Sequence, residues 1–256
     1  MRPHETIRGR LLYTSRKPDR LDAERGREFF TITKHGDGRR TLRAHAEIDD
    51  APNVLRDVTL TLDRDWITRD AFVRLSVGDQ TFGTSWFRFE DKFAECEGWT
   101  HELGRISERV EYDQPVPLFG THPIQGDAWH LHAVDRSGGP GRKIFPKFLM
   151  SSLDHRGATG PSLVWHDPGM IVEYIGEDRI TVGAGTFDAL HFCYGERNSD
   201  RPGSNEAGEH PPYEVWVTAD GDFILLKAFV TGYMMTHYEL MELERIPGDG
   251  SASSSE

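Results

Sequence analysis

Apolar and polar side chains alternate with a period of two in run after run of this chain, and short connections rich in Gly and Asp join the runs. Such alternation is the mark of half-buried strands. A parallel crossover takes a dozen residues or more, so strands this close must return antiparallel. Arg40–Ile48 sets Leu42, Ala44, Ala46 and Ile48 on one face, and Thr41, Arg43, His45 and Glu47 on the other. Phe29–Thr33 precedes it across His35-Gly36-Asp37-Gly38, where Gly and Asp supply the positive φ angles of a hairpin turn. Val54–Leu62 alternates in the same way. Ala71–Val77 meets Thr81–Phe89 across Gly78-Asp79-Gln80. Tyr213–Thr218 meets Phe223–Val230 across Ala219-Asp220-Gly221-Asp222, and Tyr233–Leu243 follows.

Helical signals are few. Ile124–Val134 reads as a short helix or turn, and Lys143–Leu153 fits either state. Many strands with so few helices predict an all-β fold, an antiparallel β-barrel or a strongly curved sheet, since closure removes exposed edges. One β domain is expected over residues 1–246. It could consist of two half-sheets of similar strand density, about 8–112 and 129–244. Residues 247–256, ending in a Ser-rich run, read as a disordered tail. Asn198–Pro212 has almost no apolar residue and is expected to cover one barrel mouth as a long exposed loop.

Charge narrows the partners. The chain has 42 acidic and 30 basic residues, a formal net charge of -12. That balance argues against nucleic acid and anionic membrane surfaces. No apolar run reaches the roughly 20 residues of a membrane-spanning helix. The N-terminal Met1-Arg2-Pro3-His4-Glu5 lacks the apolar stretch of a signal peptide, so a cytoplasmic location is expected. Cys96 and Cys193 have neither disulfide nor metal-ligand spacing and read as buried packing residues.

Ile180-Thr181-Val182-Gly183-Ala184-Gly185-Thr186-Phe187-Asp188-Ala189-Leu190-His191-Phe192, followed by Tyr213–Lys227 with its central Trp216 and Asp220-Gly221 turn, resembles the bacterial domain-of-unknown-function 3108 family. The resemblance covers the last quarter to third of the chain. It implies a curved antiparallel sheet, lipocalin-like in outline and related in shape to periplasmic lipoprotein carriers. It brings no catalytic residues. Read without the family, Gly183 and Gly185 permit a sharp bend between two strands, and Trp216 is an amphipathic wall residue.

Three groups of residues could carry chemistry. Trp86, Arg88 and Glu90 share one face of a strand, opposite Phe87 and Phe89. Glu214 and Trp216 share a face of another, and His191 and Cys193 a face of a third, opposite Phe192 and Tyr194. If the tryptophan-bearing faces point inward, they line an aromatic pocket with convergent polar groups. The second group is Trp129, His130 and His132, with His122, Asp127 and Asp135 nearby. His-x-His on a strand presents both imidazoles on one face, but no well-spaced third ligand follows, so no metal is expected. The third is Tyr112-Asp113 with Tyr174, Tyr194, Tyr213, Tyr233 and Tyr238, because a buried Tyr beside a carboxylate can serve as a general acid.

These readings favour a cofactor-independent enzyme of lyase, dehydratase or isomerase type, acting on a hydrophobic or aromatic small molecule. Glu90, His130, His132 and Glu214 are its candidate acids and bases. Trp86, Arg88, Trp129, His191, Tyr194 and Trp216 are its candidate substrate contacts. The alternative is a non-catalytic carrier of lipid or another apolar ligand, and a homodimer is compatible with either.

Overall fold

The computed structural model describes residues 4–116, 119–167, 169–195 and 211–248. Eight strands come first: β1 (Glu5–Ser15), β2 (Glu24–Lys34), β3 (Arg40–Ile48), β4 (Val54–Leu62), β5 (Thr68–Val77), β6 (Gln80–Phe89), β7 (Phe93–Thr100) and β8 (Gly104–Glu111). A short strand β9 (Phe119–Gly120) leads into the helix α1 (Ile124–His130), which tightens into a 3-10 turn over Leu131–Ala133. The chain continues through β10 (Gly141–Phe145), β11 (Phe148–Met150) and β12 (Val164–His166). It ends with β13 (Met170–Val182), β14 (Gly185–Tyr194), β15 (Tyr213–Thr218), β16 (Leu225–Val230) and β17 (Thr236–Ile246).

Fourteen strands form one antiparallel sheet in the order β10-β13-β14-β15-β16-β17-β1-β2-β3-β4-β5-β6-β7-β8. Its middle is the ladder between β1 and β17, which runs from Thr6–Ile246 to Ser15–Thr236. Its two ends, β8 and β10, share no ladder, so hydrogen bonding does not close the sheet. A small second sheet, β12-β11-β9, lies beside the β8 end. There the Leu163 N–H donates to Glu108 of β8 (2.7 Å) and the Ser85 hydroxyl to the Pro161 carbonyl (2.7 Å). Charged side chains blunt both ends, with Arg105 and Arg109 on β8 and Arg142 and Lys143 on β10.

The alternation read from the sequence is the alternation of burial. On β4, Val54, Val58, Leu60 and Leu62 are buried, while Leu55, Asp57 and their like face outward. Buried residues from β1–β8, α1 and β13–β17 form one hydrophobic cluster, so the sheet curls round a shared core with α1 inside it. The turn between β13 and β14 needs its glycine: Val182 pairs with Gly185 across two residues, and Gly185 has φ +136°, where a side chain is strained.

Several boundaries differ from the sequence reading. Lys143–Leu153 holds the strands β10 and β11 and no helix. Phe223 and Ile224 belong to the turn before β16, where Phe223 adopts φ +52°. Of the expected mouth-covering loop, only Pro211 and Pro212 lie among the described residues, and most of the expected tail, 249–256, lies outside them. Among the described residues no helix is long and apolar enough to cross a membrane.

Candidate functional site

The centre of the curled sheet is occupied by α1. The residue preceding this helix, Pro123, has no side chain that can cap it. Glu28, projecting inward from β2, does so instead. One of its carboxylate oxygens accepts from the Ile124 N–H (2.7 Å) and the Tyr13 hydroxyl (2.8 Å), the other from the Gln125 N–H (3.1 Å). The Gln125 side chain donates to the Phe223 carbonyl and accepts from the Leu225 N–H, both at 3.0 Å. The Trp129 indole donates to the Asp222 carbonyl (3.2 Å), and the Tyr194 hydroxyl to the Asp127 carbonyl (2.6 Å). Burial raises the Glu28 carboxyl to about 7 against the pull of its three donors, and burial beside Glu28 holds Asp127 well above the usual carboxylate range.

His130 and His132 do not share a strand face. His130 ends α1 and His132 lies in the 3-10 turn, so their rings diverge. The buried His130 donates to the Phe119 carbonyl (3.3 Å), while His132 stacks on Trp66 at 4.4 Å. Burial pushes each down to about 4. Trp129 and Tyr194 are core residues that fasten α1. Among the described residues, no three His, Cys, Asp or Glu side chains gather as a metal site.

The inward placement of the tryptophan-bearing faces is corrected by the burial pattern. Ser85, Phe87 and Phe89 face the core, which leaves Trp86, 44% exposed, with Arg88 and Glu90 on the outer face. On β15 the inward residues are Tyr213, Val215 and Val217, and Glu214 and Trp216 face outward. Alternation fixes that the two faces differ. Which one turns inward follows from polar content, since the side chains without charges to desolvate take the core. Trp86 and Trp216 cannot share a pocket, because β16, β17 and β1–β5 lie between their strands. The structure does bring three of the expected residues together. His191 bonds Glu214 (3.0 Å) and stacks on Trp216 at 4.0 Å, and the Trp216 indole donates to Asp178 (3.1 Å).

An open cleft of about 570 Å³ lies at the seam, where the β7–β8 end of the sheet meets the small sheet. Phe93, Tyr112 and Trp165 supply its aromatic surface, and Lys92, Arg109 and Lys147 its cations, against Glu111 and Asp113. The Arg109 guanidinium lies 3.6 Å from the Phe93 ring centre, and the Lys147 ammonium 4.6 Å from that of Trp165. Arg109 also pairs with Glu95 (2.7 Å), which in turn binds Arg88 (3.0 Å), so Arg88 and Glu90 flank the cleft. The Tyr112 hydroxyl donates to the carbonyls of Glu90 and Phe93, and burial pushes it up to about 12. Sequence reasoning singled out Tyr112 and Asp113 but missed Phe93, Arg109, Lys147 and Trp165. The last two come from segments with weak periodicity, and only the sheet topology carries them to β7 and β8.

No protein-family model and no curated protein matches the chain. Among solved structures it is similar to a β-barrel-like protein of domain of unknown function 1849 from Brucella abortus, with TM-score 0.54 and 11% identity over 94% of this chain and 97% of that one. That likeness shows the fold: a large antiparallel β-sheet in a β-barrel-like arrangement. A protein of the domain-of-unknown-function 1089 family from Pseudomonas aeruginosa gives TM-score 0.38 and 9% identity over 78% of this chain and 87% of that one.

Proposed function

We propose that this protein binds a small, flat, apolar or aromatic molecule carrying an anionic group, and that it holds this ligand in the seam cleft without transforming it. The supporting observation is the pairing of two aromatic rings with two cations at one open cleft: Phe93 with Arg109 and Trp165 with Lys147. A volume of about 570 Å³ suits a small-molecule ligand. Ring faces would stack on the ligand, and Lys147, which has no hydrogen bond or ion pair among the described residues, would meet its charge. This is the carrier reading that the resemblance implies, with the site moved from the lumen to the outer seam.

The lyase or isomerase reading has less support. Glu28 has the near-neutral value that acid–base work requires, but it is fully buried and both its oxygens hold donors. Tyr112, high in pKa and committed to carbonyls, is no base at neutral pH.

The probe for a test is 1-anilinonaphthalene-8-sulfonate, an aromatic sulfonate whose fluorescence rises on binding. Trp165→Ala and Lys147→Ala are each expected to weaken its binding about tenfold, with Trp216→Ala unchanged. Equal affinity in wild type and Trp165→Ala would remove the cleft from consideration.

A further inference from the structure

A second cleft opens where the ends of β1–β4 and β17 meet the loop around Gly157, and it shares no lining residue with the seam cleft. It is narrow, about 60 Å³, and Arg56, Arg156, Arg25, His122, His155 and Tyr13 are among its lining residues. In a chain of net charge -12, this is a concentrated set of basic side chains.

Arg56 is the unusual member. It sits on the core-facing side of β4 with a relative exposure of 2%. Its Nε donates to the Thr121 carbonyl (2.8 Å), and its two terminal nitrogens donate to the Gly157 carbonyl and the Ser151 hydroxyl. All three acceptors are neutral. Among the described residues no carboxylate lies within ion-pair distance of Arg56, although a buried charge without a counter-charge is costly. The seat is built closely: at Gly157, with φ +63°, a side chain would be strained, and its Cβ would crowd the guanidinium and the His122 ring at 3.0 Å.

Arg156 repeats the pattern. Its guanidinium donates to the carbonyls of Asp50 and Pro52, each at 2.7 Å, and it too lacks a carboxylate partner among the described residues. The nearby carboxylates are engaged elsewhere. Asp50 binds Arg20 and Arg25, and Asp154 accepts from the N–H groups of Arg156 (3.1 Å) and Ala158 (2.9 Å). Two guanidinium charges therefore line one cleft without an ion-paired acid among the described residues; Asp154 acts on Arg56 only from beyond ion-pair distance.

We infer that this cleft is an oxyanion site, in which a phosphate or carboxylate group supplies the counter-charge for Arg56 and Arg156. A cleft of this size takes the anionic group itself. Any remainder of the ligand would extend past Ile48, Val54 and Met234, which also line it. The inference is independent of the seam cleft and its ligand.

The test is calorimetric titration of the full chain with inorganic phosphate and with hexyl phosphate, against sodium chloride at matched ionic strength. Saturable phosphate binding is expected, at least tenfold weaker in Arg156→Gln, whose melting temperature without phosphate stays near that of wild type. Equal affinities for the two probes would mark a site for the free oxyanion, and a tighter hexyl phosphate a site for the head group of a larger ligand. Arg56→Met, if it folds, is expected to lose phosphate binding altogether. No saturable binding beyond the chloride control, or an affinity unchanged in Arg156→Gln, would overturn the assignment.

Discussion

The bay around α1 and the cleft at the seam are built from the same side-chain chemistry. Each sets tryptophan and phenylalanine beside arginine or lysine: Arg40 lies 4.1 Å from the Trp66 ring centre in the bay, as Arg109 lies 3.6 Å from that of Phe93 at the seam. They differ in what satisfies the polar atoms. In the bay, backbone groups answer Glu28, Gln125 and Trp129 from several directions, so these three have little left to offer a ligand. At the seam Arg109 and Lys147 lie over rings, and Lys147 makes no hydrogen bond or ion pair among the described residues. Residue type alone does not mark a binding site; the deciding quantity is the hydrogen-bonding and stacking capacity left over after folding.

The sharpest way to break this contrast is Glu28→Ala. It strands two backbone N–H groups and the Tyr13 hydroxyl in the core, and should lower stability by about 3–5 kcal/mol in chemical denaturation. A loss under about 1 kcal/mol would mean that the bay is not a closed network. Trp129→Phe, which removes the indole donor to Asp222 and some packing, should lose about 1–2 kcal/mol by the same measurement.

pH sharpens the comparison further. The Glu28 carboxyl, raised from 4.5 to about 7 in the fold, contributes stability that is complete below pH 4.5 and is lost as pH rises through 7. His130 and His132, lowered from 6.5 to about 4, act oppositely. Their contribution is complete above pH 6.5 and is lost as pH falls through 4. In wild type the two trends offset. Melting temperatures of Glu28→Gln between pH 4 and 7 should therefore climb more steeply with pH than those of wild type. Parallel curves would show that Glu28 does not titrate there.

The smallest effects belong to the outer face. Trp86→Ala should change stability by no more than about 1 kcal/mol, because nearly half of the residue is already exposed on the outer face. Lys147→Ala should leave the melting temperature unchanged while weakening dye binding at the seam.

Much of the framework was legible because it depends on local repetition. β3, β4 and β15 have the expected bounds, and α1 with its following turn falls inside Ile124–Val134. Missed strands carry a weaker signal: in β7, Glu95, Glu97 and Gly98 leave only Ala94 and Cys96 to mark the inner face through its middle. The site was less legible, because alternation is symmetric under exchange of faces. Trp86 with Arg88 and Glu90 reads equally as wall or as surface until the Phe87–Phe89 face is seen to take the core. The seam cleft depends on which strands end the sheet, and no local pattern in Lys147 or Trp165 contains that information.

Because β1 and β17 are neighbours at the middle of the sheet, the order of strands in space is the order of strands in a ring, cut at one point. Link the ends of β1 and β17 that pair at Thr6 and Ile246, and reopen the ring between β8 and β9. The fourteen strands of the large sheet then follow one another in chain order from edge to edge, with β11 and β12 of the small sheet set between β10 and β13. The pairing most distant in sequence, which closes a loop of nearly the whole chain, becomes a simple hairpin in that permutant. Its contact order drops while the architecture stays the same, and folding should quicken accordingly.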